Sequence, residues 1–145
     1  MTAASLILRP FWHVPHSRAG GLSRTGRCYT FDARADGFTR SEAVAAAVLQ
    51  AASGKATIVG HAVRSDGRSA SFTAPNGRAQ QELLAAALAT TGCAQNEIRY
   101  YEAHGTGTPL GDPTEASSVA AALLKPHTKV AVSYTHLTLP TILLV

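Results

Sequence analysis

The residues most able to do chemistry lie together. His104, Thr106 and Thr108 alternate with Gly105 and Gly107, and Pro109, Leu110, Gly111, Asp112, Pro113, Thr114 and Glu115 follow. An imidazole can donate a hydrogen bond or move a proton near neutral pH. Short hydroxyls on a glycine backbone can bond a polar ligand that lies close to the chain, because glycine has no Cβ to hold it off. The competing reading is a turn with a satisfied histidine. The density of conformationally special and polar residues favours a site. A phosphate loop is a poorer match, because the run lacks both a Gly-Lys-Ser/Thr ending and the dinucleotide glycine spacing.

The elements that position this run follow from its flanks. Ile98 to Tyr101 is β-branched and aromatic, as a buried strand requires. Asp112, Pro113 and Glu115 form a capping-box pattern that predicts a helix from Pro113 to about Leu124, stopped by Lys125-Pro126. His104 therefore sits where a strand ends and a loop leads into a helix, a common place for chemistry in α/β folds. A second helix is expected after Asn76, with Ala79, Leu83, Leu84, Ala87 and Leu88 on one face and Gly92 as its stop. Thr57 to Val63 reads as a strand, and Lys129 to Ser133 begins another. Glu42 to Ala52 is apolar and alanine-rich; propensity favours helix, and a buried strand is also open. From Met1 to Arg27, prolines and glycines interrupt every period, so little regular structure is expected. Within the loop from Cys28 to Phe38, Asp32, Arg34 and Asp36 are expected to pair with one another.

Composition narrows the function classes. With 145 residues, 46% hydrophobic and 15% charged, the chain is that of a folded domain with a core thinned by alanine. No run reaches the ~18 apolar residues that span a membrane. Leu6 to Leu8 lacks the charged flank and cleavage site of a signal peptide, so a cytoplasmic protein is expected. A net charge of +4, spread along the chain, gives a weak attraction to acidic partners. It forms no basic stripe with interleaved aromatics, so nucleic-acid binding is not expected. Cys28 and Cys93 fit no metal or redox spacing, and His13 and His16 lack further ligands, so no metal site is expected.

The run from Glu102 to Ala116, Glu-Ala-His-Gly-Thr-Gly-Thr-Pro-Leu-Gly-Asp-Pro-Thr-Glu-Ala, closely resembles the histidine motif of β-ketoacyl synthases, especially the ketosynthase domains of modular polyketide synthases. Three further stretches resemble that family in the same order: Gly26 to Phe38, Ser65 to Ser69, and Thr73 to Gly77. The resemblance implies an α/β fold, part of a thiolase-like α/β/α/β/α sandwich, spanning residues 5–133. In the family, a cysteine thiolate takes an acyl chain from an acyl carrier protein or coenzyme A. A malonyl-type extender then loses carbon dioxide, and its carbanion attacks the acyl thioester. His104 is thereby identified as one of two histidines that stabilise the enolate, and Thr106 and Thr108 as contacts to the phosphopantetheine arm. The resemblance implies no directly bound cofactor, the substrates being carried on the phosphopantetheine of an acyl carrier protein or coenzyme A. The implied partners are an acyl carrier protein and, for the whole domain, a second copy in a homodimer. The family also makes the Glu42 region a strand.

The departures are equally informative. No Asp-Thr-Ala-Cys-Ser-Ser type elbow is present, and neither Cys28 nor Cys93 matches the nucleophile. After Ser133 the family's Lys-Ser-Asn-Ile-Gly-His segment is replaced by a charge-free run, and His136 does not match its histidine. Residues 134–145 are read as a tail foreign to the domain, of the kind a frame shift or mis-joined gene produces. The chain alone is expected to be inactive, and an incomplete sandwich is expected to expose apolar strand edges and to be poorly soluble. The alternative function is a non-catalytic module that binds carrier-protein phosphopantetheine or pairs with a full-length ketosynthase.

Overall fold

A computed structural model describes residues 1–51, 54–71 and 73–123, and the backbone of residues 131–132. The architecture that carries the candidate site lies in the second half. Helix α2 (Gly77–Thr91) and helix α3 (Gly111–Leu123) pack against each other, and strand β3 (Tyr100–Tyr101) lies beside β4 (Ala131–Val132). The β3–β4 pair is parallel, Tyr100 opposite Ala131 and Tyr101 opposite Val132. Parallel neighbours need a crossover, and α3 lies within the one that joins them.

Sequence signals explain the helix ends. Asn76 accepts from the Ala79 N–H at 3.2 Å, which satisfies one of the orphan donors of α2. Its amide nitrogen also donates to the carbonyls of Asp66 and Arg68, which ties the preceding loop to the cap. Gly92 closes α2 at φ +70°, a left-handed conformation that favours glycine. Where α2 meets α3, a Cβ on Gly77 would lie 3.3 Å from both the Ser118 hydroxyl and the Thr114 methyl. Glycine at that position therefore lets the helices approach closely, and the Ser118 hydroxyl donates to the Gly77 carbonyl at 3.1 Å.

Leu84, Tyr101, Ala103, Val119 and Leu123 form the core, with Leu88 and Ala122 packed on it. This cluster draws on α2, β3 and its exit, and α3. The floor under His104 is therefore the hydrophobic core itself.

The first half departs from expectation. Strand β1 (Thr2–Ser5), a 3₁₀ turn at Pro10–Trp12 and helix α1 (His13–Arg18) lie in the stretch expected to have little order. Pro10 fits the first position of its turn because its missing N–H is not needed there. β1 pairs antiparallel with strand β2 (Ala43–Ala46), Thr2 opposite Ala46 and Ser5 opposite Ala43. Glu42 to Ala52 thus holds a strand, as the resemblance implies, rather than the helix that alanine propensity favours. The expected strand at Thr57 to Val63 is not formed. Instead the His61 N–H donates to the Thr90 hydroxyl at 3.1 Å, so this backbone is held by the end of α2 and, among the described residues, by no sheet neighbour. The expected helix stop at Lys125-Pro126 and the 134–145 tail lie outside the described residues.

Every residue of β1 and β2 is exposed, and Val44 and Val48 are 76% and 91% accessible. Among the described residues this is a two-stranded ribbon with open edges, a bare Val44 and, just beyond β2, a bare Val48, a combination that favours edge-to-edge association. Lysine at both Val44 and Val48 is expected to raise the concentration at which light scattering by the purified chain begins. An unchanged or lower onset would show that association runs through another surface.

Candidate active site

The glycine loop between β3 and α3 has a backbone that turns inward. Gly105 and Gly107 have φ of +49° and +74°. A Cβ on Gly107 would lie 3.0 Å from the Tyr29 nitrogen and 3.2 Å from both Cys28 Cα and the Gly37 carbonyl oxygen. The loop and the 28–37 segment therefore run in backbone contact. Such a turn leaves N–H groups pointing into the protein, where each must find an acceptor.

Two buried carboxylates on the first turns of α3 supply the acceptors. Glu115, 7% exposed, accepts from the His104 N–H at 2.7 Å and the Tyr101 hydroxyl at 3.0 Å on one oxygen, and from the Gly105 N–H at 2.8 Å on the other. Asp112, 3% exposed, accepts from the Gly107 N–H at 3.0 Å and the Phe31 N–H at 2.7 Å. Hydrogen bonds to a charged acceptor are about twice as strong as neutral ones. The positive end of the α3 dipole lies on the same side and favours the negative charge. Among the described residues, neither carboxylate is ion-paired.

This corrects the capping-box expectation. α3 begins at Gly111, and Asp112 lies inside its first turn. The carboxylates of Asp112 and Glu115 reach across to the loop instead of back to their own helix. The Thr108 hydroxyl takes the cap position and accepts from the Gly111 N–H at 3.1 Å. The inward-pointing loop donors need acceptors, so they claim the carboxylates.

The 28–38 segment closes over the loop from the other side. The Thr30 hydroxyl donates to the Gly105 carbonyl at 2.5 Å, and the Gly37 N–H donates to the Gly107 carbonyl at 2.9 Å. Phe31 is held at φ +55°, a left-handed conformation unusual for an aromatic residue, with its N–H on Asp112. Thr30, Phe31 and Gly37 were not picked out by sequence reasoning. The only signal for them is their place in a segment dense in turn formers.

Within that segment, Arg34 pairs with Asp32 at 2.8 Å and stacks on the Tyr29 ring at 4.6 Å. The side-chain hydrogen bond from Arg34 holds the Asp32 carboxyl well below the usual carboxylate range. A depressed carboxyl contributes stability above its unfolded pKa and loses it as pH falls through the folded one. The pair is exposed, so its contribution is small. Asp36, expected in the same cluster, instead accepts from the Arg24 N–H at 3.2 Å.

The result is a fixed loop with its side chains outward. His104 is exposed, and with Thr106 it lines a cavity of about 370 Å³ bounded by Pro75, Gln80, Leu83, Leu84, Tyr101, Gly111 and Glu115. Thr108 faces a separate cavity of about 450 Å³ with Phe31, Pro109 and Pro113. The hydroxyls of Thr106 and Thr108 are 3.3 Å apart and join the two. Of the three expected site residues, the structure thus brings His104 and Thr106 to one cavity and sets Thr108 behind Thr106. Neither Cys28 nor Cys93 lines the His104 cavity. Cys28 Sγ accepts from the Thr39 N–H at 3.1 Å. His16 bonds the Trp12 carbonyl at 2.7 Å, and among the described residues no cluster of His, Cys, Asp or Glu is placed to hold a metal ion.

Comparison with known proteins gives consistent matches. The N-terminal domain of β-ketoacyl synthases matches residues 2–55, and their C-terminal domain matches residues 55–136. A phenolphthiocerol/phthiocerol polyketide synthase of Mycobacterium tuberculosis is 47% identical over 124 residues, 80% of this chain and 6% of that protein. Highly reducing polyketide synthase 40 of Fusarium mangiferae is 39% identical over 126 residues, 81% of this chain and 5% of that protein. Among solved structures, the ketosynthase from module 6 of the bacillaene synthase of Bacillus subtilis superimposes with a TM-score of 0.71 at 27% identity, covering 84% of this chain and 23% of that one. An oxazolomycin ketosynthase domain from Streptomyces albus gives 0.70 at 29% identity, covering 84% and 22%. The chain therefore spans about a twentieth of the length of the curated relatives.

The carboxylate anchor generates a direct prediction. Glu115→Gln replaces one acceptor oxygen with an NH₂ group that faces N–H donors. Loss of a hydrogen bond to a charged group is expected to speed exchange of the Gly105 amide about tenfold or more, read by hydrogen–deuterium exchange. Unchanged protection of that amide would mean that the loop holds its shape without Glu115.

Proposed function

The chain belongs to the β-ketoacyl synthase family, as a fragment of a thiolase-like ketosynthase domain of the polyketide synthase kind, and from that premise we propose its part in the reaction. The parent domain joins an acyl thioester to a malonyl-type thioester. The C–C bond to the malonyl carboxyl breaks, carbon dioxide leaves, and the electron pair remains as an enolate. The enolate carbon attacks the acyl carbonyl, and the cysteine thiolate departs.

His104 serves as a hydrogen-bond donor to the extender thioester oxygen, where negative charge develops. The Thr106 and Thr108 hydroxyls hold the phosphopantetheine arm that carries the extender. The single observation supporting this assignment is that His104 and Thr106 line one cavity on a loop whose backbone is already fixed. Fixing the backbone that carries the donor before charge appears lowers the reorganisation left to the side chain. The substrates arrive on an acyl carrier protein or coenzyme A, and the parent domain works as a homodimer in the cytoplasm. No helix among the described residues is long and apolar enough to cross a membrane.

A second reading rests on the cysteines. Because neither lines the His104 cavity, the chain can act as a module that grips carrier-protein phosphopantetheine without turning over. Its net charge of +4 suits an acidic carrier.

Incubation with an acyl thioester is expected to leave Cys28 and Cys93 unmodified by intact mass, while titration shows tighter binding of phosphopantetheinylated than of bare carrier protein. Acylation of either cysteine followed by malonyl extension would contradict the fragment reading. Equal affinity for both carrier forms would remove the arm from the site.

A further inference from the structure

In the first half of the chain, two arginines meet a wall of apolar side chains. Leu6, Ile7, Leu8 and Arg9, leading away from β1, join Trp12 and Arg40 around a cavity of about 300 Å³. It shares no lining residue with the His104 cavity or with the one behind Thr108. Arg40 precedes β2 and is partly buried. Its Nη1 is closed to solvent and has no hydrogen-bond partner among the described residues. Arginine is not deprotonated in proteins, so this burial cannot be relieved by loss of a proton. It has to be offset by an acceptor.

No carboxylate side chain of this protein supplies that acceptor. All nine Asp and Glu residues lie among the described residues. The ion pairs they make engage Arg34, Arg64 and Arg78, and none engages Arg9 or Arg40. Glu42 reaches the same wall, but there its Oε1 accepts from the Ile7 N–H at 2.6 Å. Asp36, also close in sequence, accepts from the Arg24 N–H. Two cations that share a cavity repel each other, and a negative charge between them turns that repulsion into attraction.

We propose that Arg9 and Arg40 form a binding site for an oxyanion, a carboxylate or phosphate group supplied from outside the chain, with Trp12 and Leu6, Ile7 and Leu8 as its apolar walls. A guanidinium fork pairs with either group through two parallel hydrogen bonds, a geometry that a spherical halide cannot match. Arg40, partly buried, supplies most of the affinity. Arg9 is exposed and screened by solvent, so it adds less.

Trp12 is the single tryptophan of the chain and lines the cavity, so its emission reports on the site. The test titrates the full chain with inorganic phosphate, with acetate and with a glutamate blocked at both ends, each at constant ionic strength made up with chloride. A saturable change in Trp12 emission is expected with phosphate or acetate and not with chloride. Tighter binding of phosphate supports the site and assigns it to phosphate groups. Tighter binding of acetate supports it and assigns it to carboxylates, and a matching response to blocked glutamate extends it to acidic side chains. R40Q is expected to weaken Kd about ten- to hundredfold, as loss of hydrogen bonds to a charged group does. R40K keeps the charge without the fork and is expected to fall between R40Q and the unaltered chain. In chloride buffer R40Q is expected to melt no lower than the unaltered chain, because it removes a buried charge that no acceptor offsets. The bound anion is expected to raise the melting temperature of the unaltered chain and not that of R40Q. A response that survives unchanged in R40Q, or none beyond that of chloride, would overturn the inference. A lower melting temperature of R40Q in chloride would also overturn it, by showing that Arg40 is already paired within the chain.

Discussion

A carboxylate with no ion-pair partner among the described residues, buried under a glycine loop, is the constraint on which the site depends. Glu115 takes two consecutive backbone N–H groups, those of His104 and Gly105, together with the Tyr101 hydroxyl. A buried charge is costly unless its lone pairs are filled. The loop in turn has N–H groups that must not be left bare. Each side therefore satisfies the other, and the geometry that does so is the one that points the His104 and Thr106 side chains outward. Asp112 repeats the arrangement one turn earlier and extends it to Phe31, so a single helix start fixes two separate stretches of chain.

The hydrophobic core and the polar anchor are connected through Tyr101. Its ring belongs to the cluster with Leu84, Val119 and Leu123, and its hydroxyl reaches Glu115. Packing of α2 on α3 thus bears on the loop above it. The 28–38 segment adds the opposite wall, with the Thr30 hydroxyl on one loop carbonyl and the Gly37 N–H on another. The peptide groups around Gly105 and Gly107 are held on both their N–H and their carbonyl sides. A site of this kind owes its precision to backbone fixed on all sides, and its reactive side chains remain free to meet a ligand.

Much of the second half was legible because its signals are local. Asn76 and Gly92 mark the ends of α2, and the β-branched run before Tyr101 marks β3, as the structure has them. The position of His104 at a strand exit was legible for the same reason. The roles of Asp112 and Glu115 were not. Their spacing is that of a capping box, and only the folded loop shows that buried N–H groups outside the helix compete for the same oxygens. Thr30 was invisible because its partner is 75 residues away. The Thr57 to Val63 stretch misled because β-propensity describes a fit to a sheet, and in the described structure this backbone meets Thr90 and no strand. β1 and β2 are composed largely of alanine, whose propensity opposes the strand they form, so only the family resemblance pointed the right way for β2.

The central claim is that the fixed loop presents His104 to a thioester carried on pantetheine. The most direct measurement is ring-nitrogen NMR of the histidine-labelled chain during titration with a non-hydrolysable malonyl-pantetheine analogue. The account predicts a saturable shift of the His104 ring signals, with the other five histidines unmoved. A ring that stays unshifted while the analogue binds, or a response at His13 or His16 instead, would contradict it.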